Sequence, residues 1–310
     1  MGRNREKKRK RTIGDVISTL VIIAAVGVFC FAGFQLLKIY LNYKVGVDEY
    51  KGLEQYADTI TVKETEGFDE ESMVENETMA EDEWGDTYME DETEEGTEEP
   101  AYEEMENPID FESLRAINTD VIGWLEVEAI DTINYPIAQS EDNDYYLHRT
   151  FRRQDNFAGT IFLDYLNRKN FSNRNNILYG HNMKNGSMFG LLRNFRDPKT
   201  YEKSPYFWIY TPNKIYKYEI FACAEVGTYS ENYQISFPSE AAFQKYIQTA
   251  MKQSLIETDV EVTLKDTIVT LSTCTGNEAT RFIVQGKRVR TYKSVPKKGG
   301  YETETETEKQ

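Results

Sequence analysis

Histidine and cysteine are scarce: the 310-residue chain has two of the first and three of the second. No C-x-x-C or H-x-x-x-H pair occurs, so the ligands of a zinc or other transition-metal site are missing, and neither metal nor cofactor is expected. Three cysteines also make a poor disulfide framework. The basic footprint of a nucleic-acid binder is absent too. The net charge is −17, and from Glu64 to Glu106 about twenty acids stand without one Lys or Arg. A tract of that composition cannot bury enough apolar surface to offset chain entropy, and it is expected to be disordered. From Asn107 onward acids and bases nearly cancel, so the acidity belongs to one segment and not to a fold.

What is present begins with a basic cluster, Arg3 to Arg11, followed by the apolar run VISTLVIIAAVGVFCFAGFQLL, Val16 to Leu37. A helix of that length crosses a bilayer core of ~30 Å. A cleavable signal peptide would have an apolar stretch of only ~7–15 residues ending at a small-residue site. No such site is evident here, so an uncleaved single-pass anchor is expected. The basic cluster then stays in the cytoplasm and everything after Leu37 lies outside the cell. The resulting organisation is a cytoplasmic tail (1–15), a transmembrane helix (16–37), a juxtamembrane stretch and disordered acidic linker (38–106), a folded domain (107–298) and a disordered tail (299–310). The linker is long enough to hold the domain away from the membrane.

Within the domain, eight runs have strand character: 121–128, 132–139, 159–166, 175–181, 205–211, 214–226, 266–274 and 281–289. They are rich in Tyr, Ile and Val, and polar or Gly/Asn/Pro turns separate most of them. Helices are expected at 108–117, 142–148, 187–195 and 239–256. The last places Ala242, Phe243, Tyr246, Ile247 and Ala250 at helical spacing. Eight short strands with few helices predict a mainly β fold, a closed barrel or sandwich.

The last two strands frame the chemistry. If Cys274 and Arg281 close a hairpin loop, Leu271 opposes Val284 and Thr273 opposes Phe282 on one apolar face. Ser272 then opposes Ile283, and Cys274 opposes Arg281, on the other. A guanidinium beside a thiol favours the reactive thiolate and can stabilise an oxyanion. Cys223, inside the strand KYEIFACAEV, reads as a small buried hydrophobe. A thiol nucleophile works with a base or acid, most often histidine. His148, among aromatics in YYLHRTF, reads as structural. His181, in NNILYGHN, follows a strand at a loop exit where catalytic groups gather.

Taken together, ILYGHNMKNGSMFGLL (177–192), TLSTC with a downstream Arg, and the opening DFESLRAINTDVIGWLEVEAIDTINYPIAQSEDNDYYL (110–147) resemble the sortases. These are membrane-anchored cysteine transpeptidases of Gram-positive bacteria, and the likeness is greatest to class B. It covers about 108–290. It implies an eight-stranded β-barrel, with Cys274 as nucleophile, His181 as general acid and base, and Arg281 as oxyanion and substrate stabiliser. Ser272 and Thr273 are candidate substrate contacts, and the segment 228–258 is implied to help form the groove. The implied substrates are secreted proteins bearing a C-terminal sorting signal. The implied acceptor is an amine of a peptidoglycan precursor or cross-bridge, so that surface proteins are fixed to the cell wall. A pilus-associated sortase or a hydrolytic cysteine endopeptidase of the same fold is the alternative. Thr275 and Gly276 follow the cysteine, with Glu278 further on, and no acid is assigned a catalytic part.

Overall fold

The computed structural model describes residues 13–57, 102–277 and 279–297. The basic cluster, most of the acidic tract, Glu278 and the expected tail lie outside the described residues. Among the described residues there are nine strands: β1 Glu104–Asn107, β2 Val121–Val127, β3 Asn134–Ala138, β4 Ile161–Leu163, β5 Asn175–Tyr179, β6 Tyr206–Tyr210, β7 Lys214–Gly227, β8 Ile268–Cys274 and β9 Thr280–Pro296. Their order is β1-β9-β7-β6-β2-β3-β4-β5-β8, and a further β8–β9 ladder closes β2 to β9 into an eight-stranded barrel. Closure leaves these strands no free edge to aggregate through.

The eight barrel strands are the eight runs expected from sequence. β9 is much longer than its apolar run. It pairs with β8 over Arg281–Lys287 and with β7 as far as Lys293, and its end, Lys293–Pro296, adds β1 in parallel. Leu125, Ile137, Ile209, Tyr218, Leu271 and Val284 are buried in the largest apolar cluster.

The described residues also form four α-helices: α1 Ile13–Leu53, α2 Phe111–Ile117, α3 Pro198–Lys203 and α4 Glu240–Gln253. The Asp110 carboxylate accepts from the Ser113 amide at 3.0 Å, which starts α2 three residues later than the proline suggested. Ser239 caps α4, and Phe243, Tyr246, Ile247 and Ala250 pack on Phe221, Ala222 and Ile268. No helix forms at 142–148. There Asp142 Oδ1 accepts from the amides of Asp144 and Tyr145, a local arrangement that competes with helix. The run 187–195 is mostly turn, with Met188 at φ +54° and a 3₁₀ helix only from Leu192 to Arg196.

The largest departure concerns the membrane-proximal segment. α1 runs unbroken past Leu37, and its last turns pack on the barrel, burying Tyr50 and Leu53 in the main core. Ala57 bridges Ile109, and the Asp110 amide donates to the Tyr56 carbonyl at 2.9 Å. The packed unit therefore begins near Asn42 and not at 107. The described ends that flank the acidic segment sit side by side on the barrel, and most of the segment itself lies outside the described residues. Among the described residues, α1 alone is long and apolar enough to cross a membrane, with a mean hydropathy of 2.5 over its most apolar stretch.

Candidate active site

Strand pairing brings the three chemistry-bearing residues together. Cys274 is the last residue of β8, and its register partner on β9 is Arg281, as the sequence pattern predicted. On the other side of β8 lies β5, parallel, with Tyr179 opposite Ser272. The ladder continues one step, since the Gly180 amide donates to the Ser272 carbonyl at 3.1 Å. Two residues past Tyr179 and Ser272 stand His181 and Cys274. In-register partners share a face and the period is two. Cys274 and Arg281 thus stand abreast at the tips of β8 and β9, on the face shared with Ser272 and Ile283, and His181 follows two residues past the end of β5, the strand next to β8.

Tyr233 covers that face. Its ring stacks on Tyr179 at 6.3 Å and its hydroxyl lies 2.7 Å from Ser272 Oγ. Asn175 Nδ2 donates to the carbonyls of Asn232 and Gln234, on either side of Tyr233, at 3.1 and 3.0 Å. A buried amide on β5 thereby fixes a loop 57 residues away. Burial pushes the Tyr233 hydroxyl's pKa up, while the charge of Arg281 draws it down and that of Cys274 opposes this. All three groups therefore lie within electrostatic reach of one another.

His181 is held at both ends. Its carbonyl accepts from the Phe189 amide at 3.0 Å, and Nε2 lies 2.7 Å from the Leu147 carbonyl oxygen. A carbonyl only accepts, so Nε2 carries the hydrogen and Nδ1 is left to exchange protons. Burial holds the imidazole below its ordinary range, and the Leu147 carbonyl partly offsets this. Gly180 is required at the preceding position, because a Cβ there would come within 2.7 Å of the Phe189 ring. The opposite lip, 275–280, turns through Gly276 at φ +93°. Arg193 Nη1 pins the Thr275 carbonyl at 3.2 Å, and Arg281 Nη1 donates to the Thr280 carbonyl at 2.9 Å.

The remaining residues named from sequence fall elsewhere. Ser272 is buried beneath Tyr233. Thr273 alternates onto the inner face opposite Phe282, is buried, and its hydroxyl has no hydrogen-bond partner among the described residues. Its side chain faces the barrel interior, whereas Ser272 faces Tyr233. Cys223 is buried as expected; burial raises its thiol to about 11, and Sγ donates to the Phe195 carbonyl at 3.4 Å. His148 is not a packed structural histidine: it is exposed and sits 3.7 Å from Asp144. All three cysteines are free. Sequence reasoning missed the Leu147 carbonyl, Arg193 and Tyr233. A backbone oxygen has no signature in sequence, and the other two carry none beyond lying in loops.

The chain matches the model of the sortase domain over residues 125–289. It is 42% identical over 184 residues to a sortase B of Listeria monocytogenes, covering 58% of this chain and 74% of that one. Among solved structures, it resembles the sortase B of Bacillus anthracis in complex with AAEK1 at 38% identity and TM-score 0.54, covering 58% of this chain and 84% of that one. It also resembles a Staphylococcus aureus sortase B–substrate complex at 32% identity and TM-score 0.55, with the same two coverages, 58% and 84%.

Proposed function

From the premise that this chain belongs to the sortase family, in its class B branch, and is a cysteine transpeptidase, we propose that Cys274, His181 and Arg281 carry its reaction. What supports this is the register that pairs Cys274 with Arg281 and sets His181 two residues past Tyr179, the β5 partner of Ser272.

The thiolate of Cys274 attacks the scissile carbonyl of a sorting-signal peptide, and the carbonyl π electrons move onto oxygen. Arg281 is the one cation beside Cys274 in the register and stabilises that oxyanion. As the intermediate collapses, the C–N bond breaks. His181, protonated at Nδ1, gives its proton to the departing amine and leaves a thioacyl-enzyme. An incoming amine then attacks the thioester while His181 Nδ1 takes up its proton. The new amide leaves and the thiolate returns. The Leu147 carbonyl keeps the ring in one tautomer through both halves. The acceptor is a peptidoglycan amine, so the product is a surface protein fixed to the wall. The basic N-terminus faces the cytoplasm and the barrel lies outside.

The test is cleavage of a peptide library of C-terminal sorting signals, with and without excess amine, by the protein starting near Lys38 so that Tyr50 and Leu53 are kept. Cys274→Ala abolishes cleavage while the circular dichroism spectrum is unchanged. Full activity in that variant refutes the mechanism. Hydrolysis that never yields an amine adduct refutes transpeptidation.

A further inference from the structure

The residues that hold His181 are themselves held by the membrane-proximal end of α1. Contacts from four residues of that end join it to the loop 146–160. The Asn42 carbonyl accepts from Asn156 Nδ2 at 3.0 Å, and Glu49 Oε1 accepts from the Arg152 amide at 2.8 Å. Tyr43 meets Phe157 edge-on at 4.6 Å. Tyr50, buried, donates its hydroxyl hydrogen to the Gly159 carbonyl.

Gly159 is the residue that separates Tyr50 from the catalytic histidine. It has φ +61°, and a Cβ there would lie 2.8 Å from both the Tyr146 and Leu147 carbonyl oxygens and 3.1 Å from His181 Cδ2. The next residue returns to the same place: the Thr160 amide donates to the Tyr146 carbonyl at 2.9 Å, and Thr160 Oγ1 donates to the Arg149 carbonyl at 2.8 Å. A short path of contacts thus runs from Tyr50 to Gly159, to the Leu147 carbonyl and to His181 Nε2. The Tyr50 ring also meets Tyr135 edge-on at 5.3 Å, and the Tyr135 hydroxyl accepts from the Met188 amide at 3.0 Å, beside the Phe189 that caps the His181 carbonyl. Both grips on His181 therefore lead back to one side chain of the anchor helix.

We propose that Tyr50 is a positioning residue. Through the Gly159 loop it holds the Leu147 carbonyl against His181, so the catalytic tautomer depends on the anchor helix being docked on the barrel. The proposal rests on the assignment of His181 as the proton carrier. It makes the membrane helix part of the active-site support as well as an address.

The experiment uses the full chain in lipid nanodiscs. Tyr50→Phe deletes one hydroxyl and keeps the ring. Gly46→Leu is the second variant, because a Cβ at Gly46 already lies 3.4 Å from Ala158 Cβ and a longer side chain wedges the helix off the loop. The chain has only two histidines, so the ¹⁵N resonances of His181 are identified against a His148→Gln background. Docking lost, the two His181 nitrogens move toward the averaged shifts of mixed tautomers, and kcat falls about tenfold with KM nearly constant, the size of one lost buried hydrogen bond. A His181 tautomer unchanged in both variants overturns the proposal, whatever happens to activity or melting temperature. A wild-type protein that joins no amine to any sorting peptide overturns the assigned reaction instead, and leaves the tautomer measurement standing on its own.

Discussion

Gly159→Ala is the most demanding single test of the site. The residue sits at φ +61°, where a Cβ costs about 1–2 kcal/mol. The same Cβ would lie 2.8 Å from two carbonyl oxygens and 3.1 Å from the His181 ring, and overpacking of that kind costs about 1–3 kcal/mol. The combined loss, about 2–5 kcal/mol, corresponds to a fall in melting temperature of roughly 5–15 °C for a domain of this size. The oxygens are backbone and cannot swing aside, so the relief comes from the loop and the imidazole moving apart. A displacement near 1 Å costs about 10²-fold in rate. The assay is peptide cleavage well below the variant's own melting temperature, so that unfolding does not masquerade as lost chemistry. A variant within about twofold of wild-type kcat would refute the view that Gly159 sets the histidine's place, even if it melted early.

Three further outcomes are expected. A thiol-reactive probe applied to the folded protein at pH 7 labels Cys274 and leaves Cys223 untouched, since burial raises the latter's thiol to about 11; equal labelling would contradict the assigned nucleophile. Burial lowers the His181 pKa below its ordinary 6.5, so the unfolded chain takes a proton that the native ring refuses. The resulting stability is full above pH 6.5 and is lost as pH falls through the native value. Urea unfolding at pH 5 and pH 7 should show a larger acid loss in wild type than in His181→Gln. Thr273→Val removes a buried hydroxyl with no partner among the described residues, and should be neutral or stabilising by up to about 1 kcal/mol in the same measurement; a large loss would mean the hydroxyl is satisfied.

Much of the site was legible because β structure has a simple period. Two residues per repeat and one loop length were enough to pair Cys274 with Arg281 and to separate Ser272 from Thr273. His181 was legible as a strand exit, but its partner was not, since the Leu147 carbonyl is backbone. The expected helices at 142–148 and 187–195 failed where Asp142 and the glycines around Met188 offered the chain tighter local turns. The docking of α1 had a signal that went unread. Tyr43, Gly46, Tyr50 and Leu53 stand three and four apart, one helix face, in a stretch masked by its nearness to a far stronger apolar run. The acidic tract then drew the domain boundary to the wrong side of it.

The seam between α1 and the barrel also decides where tension runs. On the proposed reaction, an acyl group held on Cys274 loads the end of β8, which passes the pull sideways into β5 and β9. From there it reaches α1 through the seat of Tyr50 and Leu53 in the core. Ala57 and Ile109, on either side of the acidic tract, are clipped to each other. One weakened side chain at position 50 would therefore soften the docking of α1 and the proposed grip on His181 together.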